Sequence, residues 1–299
     1  MTTINEVIGA ISDWAGRPVE AREAVGGLTN RNYFVDVDAD RYFVRIPGAD
    51  TDLLAVDREN ELYNTRAAAR TGIGPEVAYA LPDLGAFVLT FIPGVTMSNE
   101  RLREPGMPDR VAASLRLLHA GPRFLHEFDM FRLAERYLAL CDERGIPIPA
   151  GYRERLDRVP RIERALAVHP LPTVPCHNDL LAENYIDDGS LLRIVDYEYS
   201  GNNDPCFELG NTCQELGWDE TRQIALCAAY FGEASDALMA RMRLQMIMSD
   251  VGWTLWAAIQ ARISRIDYDF KGWALERWTR AAAALDGPDF ERWLTAVTR

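Results

Sequence analysis

In CHNDLLAENYI, residues 176 to 186, a histidine, a carboxylate and an amide fall at fixed intervals: His177, Asp179 and Asn184. The H-x-D-x-x-x-x-N spacing is that of a loop that moves phosphoryl groups. Such chemistry needs a carboxylate at the incoming hydroxyl, and oxygen ligands that hold Mg2+ against a phosphate already carrying negative charge. Asp179 is therefore the expected base, and Asn184 the first expected magnesium ligand. A second carboxylate should follow a short apolar strand; LLRIVDYEYSG, residues 191 to 201, supplies Asp196 there. His177 reads as a residue that orients the loop rather than one that carries protons. A polar hairpin turn would account for a bare H-x-D pair, but not for the asparagine and second aspartate at these intervals.

A phosphate grip should precede this loop. GGLTNRNYFV, residues 26 to 35, places Gly26 and Gly27, then Leu28, Thr29 and Asn30, in a turn before a strand, where backbone N–H groups can approach phosphates without side-chain obstruction. An ordinary hairpin turn explains the glycine pair equally well, and neither a GxGxxG nor a Walker sequence occurs. Phosphoryl-transfer sites commonly place a lysine on the next strand, yet the one lysine of this chain, Lys271, lies far away. Arg45, in RYFVRIPG, takes the expected place: a guanidinium clamps two oxygens at once and stays charged at any working pH. Its partner is expected on the following helix, in NELYNTRAAARTGIGP, as Glu61, with Glu59 the second choice.

A third group of residues is aromatic. GWTLWAAIQ, residues 252 to 260, sets Trp253 and Trp256 three positions apart, so on a helix the two indoles share a face. That geometry suits a packed core and a cation-binding wall alike.

The elements that must position these residues follow from periodicity. An amphipathic helix is predicted over residues 3 to 14, and alternating apolar and polar residues from 19 to 46 predict a small antiparallel sheet. A helix over residues 52 to 70 should end at Gly72, followed by strands near 76 to 80 and 86 to 91. Beyond a connector at residues 90 to 94, helices are expected over 108–120, 129–143, 151–168, 205–231, 235–263 and 268–297, interrupted by one strand-turn-strand island at 174–197. The prediction is an α+β chain with two lobes, residues 1–92 binding nucleotide and residues 93–299 carrying catalysis and the acceptor, with the ligand in the cleft between them.

Composition bounds the partners. The chain has 299 residues, 48% of them hydrophobic, which is ordinary for a globular protein. A formal charge of −13 disfavours nucleic acid, whose phosphates need Lys and Arg, and mildly suits a cationic substrate. Five cysteines without a CxxC pair, beside four histidines, argue against a zinc site or a disulfide framework. No apolar run approaches the roughly 20 residues needed to span a bilayer, and no basic leader opens the chain, so a cytoplasmic protein is expected.

Taken in order, GGLTN, the Arg45 strand, NELYNTRAAARTGIGP, CHNDLLAEN, VDYEYSGNN and FELGNTCQE resemble the choline/ethanolamine kinase family, within the larger group that shares its fold with aminoglycoside phosphotransferases and protein kinases. The resemblance covers nearly the whole chain and implies a bilobal protein kinase-like fold, with a small antiparallel-sheet N-lobe and a larger, mainly helical C-lobe. It also implies ATP and Mg2+ in the interlobe cleft, and phosphorylation of the hydroxyl of choline or ethanolamine. An arginine in place of the lysine is typical of such enzymes. By the same matching, Thr90, Phe91 and Ile92 stand beside adenine, and Glu215 faces the substrate ammonium. Trp253, Trp256, Trp273 and Tyr199 are implied as acceptor-pocket residues, with Tyr268 or Phe270 as further possibilities. Trp273 departs from the tyrosine more usual at its place. Phosphorylation of an aminoglycoside or another small amino alcohol is the alternative, since an acidic lobe also suits polycations. A nucleotide-binding pseudokinase is disfavoured because Asp179, Asn184 and Asp196 are all present.

Overall fold

The computed structural model describes residues 2–24, 30–48 and 51–299. The chain opens with α1 (Ile4–Ala10), capped by Thr3 and Glu6, and a 3-10 turn at Ser12–Trp14. Strands β1 (Val19–Glu23), β2 (Asn30–Val37) and β3 (Asp40–Pro47) follow, then α2 (Arg58–Ala69), β4 (Val77–Leu81) and β5 (Ala86–Thr90). The five strands form one antiparallel sheet in the order β1-β2-β3-β5-β4. The predicted alternation decides its two faces. Tyr33, Val35, Val37, Val44 and Ile46 bury one side against Val7, Ile11 and Trp14. The intervening Asn32, Phe34, Phe43 and Arg45 turn to the other side, with Asn32 opposite Arg45 and Phe34 opposite Phe43. The helix expected from residue 52 begins later, at Arg58, because Asp57 accepts bonds from the Glu59 and Asn60 N–H groups and so caps it there.

Residues 91–94 lead to β6 (Val95–Thr96), α3 (Met107–His119), α4 (Met130–Arg144) and α5 (Val159–Leu166). Strands β7 (Val174–Cys176), β8 (Tyr185–Asp187), β9 (Leu192–Ile194) and β10 (Gly201–Asn203) precede α6 (Pro205–Glu215), α7 (Glu220–Phe231), α8 (Asp236–Ile263), α9 (Phe270–Asp286) and α10 (Phe290–Ala296). The α+β architecture stands, with an antiparallel-sheet part and a larger helical part, and four details correct the expectation. The strand-turn-strand island is two small sheets: β8–β9 recruits β6, and β7 pairs instead with β10, past the predicted end of the island. The helix expected over 205–231 splits at Gly217, whose φ of 58° is a left-handed turn. The one expected over 268–297 splits at Gly287 and Pro288. The one expected from 151 is a 3-10 helix over Arg153–Arg158 and becomes α-helical only at Val159, with Pro160 in the first turn of α5.

Helix α8 is buried nearly all round and runs through the centre of the helical part, against α4, α6, α9 and α10. Asp204 ties α6 to α8 by capping the Cys206 N–H and pairing with buried Arg241 at 2.5 Å. Gly210 allows the closest approach: a Cβ there would stand 2.8 Å from the Met242 carbonyl oxygen. These contacts hold Glu215 on α6 beside the tryptophans of α8. Among the described residues, no helix is long and apolar enough to cross a membrane.

Gly210→Ala is accordingly expected to force α6 from α8 and cost about 1–3 kcal/mol. Urea unfolding reads this as a lowered midpoint at unchanged slope; an unshifted midpoint would show that the helices are not in tight contact there.

Candidate active site

The site begins with Arg45, which β3 directs away from the α1 face into a cleft of about 760 Å3. Its guanidinium is almost fully buried and meets three carboxylates. Nε lies 2.9 Å from Glu61 of α2, and Nη2 lies 2.5 Å from Asp196 and 3.0 Å from Glu198, both in the segment after β9. The Glu61 contact is a charge pair without hydrogen-bond alignment, since neither atom finds a bonded partner. Glu59 is exposed, so Glu61 is the acid that the structure brings to Arg45. Arg58 closes the network from Nη1 to Glu61 at 2.6 Å and from Nη2 to Asn30 Oδ1 at 2.9 Å, and Asn30 in turn donates to Glu198 at 2.8 Å. The carboxylates of Glu61, Asp196 and Glu198 thus crowd within 4.8 Å of one another. Among the described residues, two guanidiniums meet these three carboxylates. Of the proposed phosphate turn, Gly26, Gly27, Leu28 and Thr29 lie outside the described residues.

The loop after β7 is built on a backbone knot. Asn178 takes a left-handed φ of 69°, and Asp196 one of 74°, conformations that cost non-glycine residues energy and need support. At Asn178 the support is visible: its side chain donates to the carbonyls of Cys176 and Tyr199, and its N–H donates to buried Glu208 at 2.9 Å. Burial pushes the Glu208 carboxyl up to about 8. His177 is wholly buried; its Nε2 donates to the Val195 carbonyl at 2.8 Å, and its Nδ1 accepts the Asp179 N–H at 3.3 Å. Burial lowers the imidazole to about 4, so the ring is neutral and couples the Asp179 loop to the Asp196 segment. Asn184 donates to the Asp179 carbonyl at 2.8 Å, which folds the loop back on itself.

The Asp179 carboxyl faces the cleft. Desolvation, then the charges of Glu215, Asp196 and Glu198, hold it well above the usual carboxylate range, and Arg277 opposes them. Across the cleft stands an aromatic cluster. Trp253 and Trp256, almost fully buried, meet edge-to-face with centroids 6.3 Å apart rather than side by side, and Trp273 packs against Trp256 at 5.2 Å. Tyr199 accepts the Trp256 indole N–H at 2.6 Å and sits 5.0 Å from Trp253. Phe270 is core and Tyr268 is exposed at the mouth. Glu215 does not stand alone before an incoming cation, because the buried Arg277 donates to it. Thr90, Phe91 and Ile92 line the same cleft.

Three participants escaped the sequence reading. Glu198 lies two residues after Asp196 in VDYEYS, and it reaches Arg45 through the left-handed turn at Asp196 rather than along a strand, so spacing alone does not point to it. Arg277 follows Trp273 by four on one helix face, the spacing at which side chains meet. Arg58 carries no signal beyond its place one turn before Glu61.

The model of the phosphotransferase enzyme family matches residues 20–244. Rat ethanolamine kinase 2 is 28% identical over 89% of this chain and 76% of its own length. Among solved structures, a choline/ethanolamine kinase family protein from Mesorhizobium loti is 37% identical and superposes with a TM-score of 0.84 over 97% of this chain and 96% of that one. Choline kinase LicA from Streptococcus pneumoniae, 25% identical, reaches 0.79 over 94% and 98%. With the match spanning most of the chain and both lobes of the cleft, the chain belongs to the phosphotransferase enzyme family and, on the strength of its 37% identical relative, to the choline/ethanolamine kinase family of small-molecule kinases.

Proposed function

We propose that the chain transfers the γ-phosphoryl group of ATP to the hydroxyl of choline or ethanolamine. The observation that carries this reading is the juxtaposition, in one cleft, of the Asp179 carboxyl, a surplus of further carboxylates and a wall of three indoles and Tyr199. A cationic alcohol fits such a surface: its ammonium satisfies the negative charge and the ring faces, and its hydroxyl is left toward Asp179. The ethanolamine kinase and choline kinase names of relatives support the same class.

Each residue then has a part. Thr90, Phe91 and Ile92 flank the adenine. Arg45, fixed by Glu61 and Glu198, presents its charge toward the phosphates. Asp179 accepts or orients the proton of the attacking hydroxyl. His177 stays neutral and holds the loop. The oxygen ligands that Asp196 and Asn184 offer, beside the crowded carboxylates of Glu61 and Glu198, fit magnesium. When bound there, Mg2+ neutralises charge on the transferring phosphates. The lobes divide as residues 1–92 for nucleotide and 93–299 for catalysis and acceptor.

A coupled ADP-release assay across choline, ethanolamine and aminoglycosides tests the substrate class. Turnover of the small amino alcohols is expected; turnover of aminoglycosides alone would replace the reading. In the same assay Asp179→Ala should lower kcat by about 10²–10⁴-fold while ATP still binds, and retained turnover would remove Asp179 as the base. Arg45→Lys, a point charge unable to reach all three carboxylates at once, should cost up to about 100-fold in kcat; full activity would show that the fork is dispensable. His177 should show no imidazole titration by NMR between pH 8 and roughly 5.5, since its ring titrates at about 4; a midpoint near the ordinary value of 6.5 would contradict the orienting role.

A further inference from the structure

The acceptor end of the cleft already contains a cation. Arg277 projects from α9 four residues after Trp273; only 2% of its surface is exposed, and its guanidinium carbon lies 3.4 Å from the centre of the Trp273 ring, a stacked cation–π contact. The same guanidinium donates from Nη2 to Glu215 Oε2. The ring face and the carboxylate oxygen used by Arg277 are the two kinds of group that an acceptor ammonium needs. The neighbouring cation, Arg280, is tied separately to Asp250 at 2.6 Å.

The consequence differs between amines. A quaternary ammonium has no N–H and depends on ring faces, so it loses when one indole is stacked by a resident guanidinium and like charge stands beside the remaining space. A primary ammonium donates hydrogen bonds, and the second oxygen of Glu215 remains to receive one while Asp179 keeps the hydroxyl. Tyr199, Trp253 and Trp256 still offer it apolar walls. Resting on the reading that the cleft takes an amino alcohol, we propose that Arg277 is a specificity-determining residue, a built-in cation that biases the acceptor site toward a primary amine of the ethanolamine type and against a trimethylammonium.

The test is a graded series: ethanolamine, its N-methyl and N,N-dimethyl derivatives, and choline, each measured as kcat/KM on wild type and Arg277→Met. Wild type should favour the less methylated end. Arg277→Met should shift the choline-to-ethanolamine ratio by about 3- to 10-fold toward choline, with the KM for ATP unchanged, because one ring face and one carboxylate oxygen are released. A wild-type preference for choline, an unmoved ratio, or an equal loss for all four amines would overturn the proposal. If Arg277→Met does not fold, Arg277→Gln reads the same ratio with the charge removed and a polar group kept. If wild type turns over none of the four, the amino-alcohol reading itself fails; the role of Arg277 is then read from tryptophan fluorescence titrated with tetramethylammonium and methylammonium. A selective gain for tetramethylammonium in the variant supports the role, and no selective gain overturns it.

Discussion

The contact on which the site depends is that of Arg45 with three carboxylates. A buried guanidinium among Glu61, Asp196 and Glu198 is costly to desolvate, and it persists because three pieces of the chain hold the group together: the sheet carries Arg45, helix α2 carries Glu61, and the segment after β9 carries Asp196 and Glu198. Removing Arg45 would leave the buried Glu61 and Glu198 carboxylates short of their shared counter-charge, so the network fixes the antiparallel sheet against the catalytic segment. It also explains how a chain with a single, distant lysine retains a cation in this place. An arginine never loses its charge, and its fork engages Asp196 and Glu198 through one nitrogen while another faces Glu61.

From that anchor, order passes to the reacting end through short polar links. Asn60 and Asn64 of α2 both donate to the Ser200 carbonyl, at 2.9 and 3.0 Å, and Asn178 gathers the carbonyls on either side of the loop. The left-handed backbones of Asn178 and Asp196 are held within this lattice. The acceptor end is built differently, from rings locked edge-to-face and a guanidinium shared between Trp273 and Glu215. Polar bonds thus set the angles where phosphate chemistry takes place, and aromatic packing sets the volume available to the amine.

Much of this was legible in the residues. The period of two in RYFVRI turns Phe43 and Arg45 to the cleft and Val44 and Ile46 to the core, and the spacing of His177, Asp179 and Asn184 brings them into one folded loop. What was not legible depends on tertiary contact. On helix α2 the residues name Glu61 as the partner of Arg45, but not the burial of Asn60 and Asn64, whose partners come from residues more than 130 positions later. The β7–β10 pairing is invisible because each strand is three residues long and polar or proline-bearing. Arg277 was not legible because Glu215, the carboxylate to which it donates, lies 62 positions away in the chain.

The central claim is that the cleft passes a phosphoryl group to an amino alcohol rather than to water. Phosphorus NMR on a mixture of enzyme, ATP, Mg2+ and amino alcohol follows that group directly. The account predicts a new phosphomonoester resonance growing in step with ADP, with inorganic phosphate a minor product. ADP formed together with inorganic phosphate alone would contradict it, because the Asp179 carboxyl would then be serving water and the aromatic wall would have no part in the reaction.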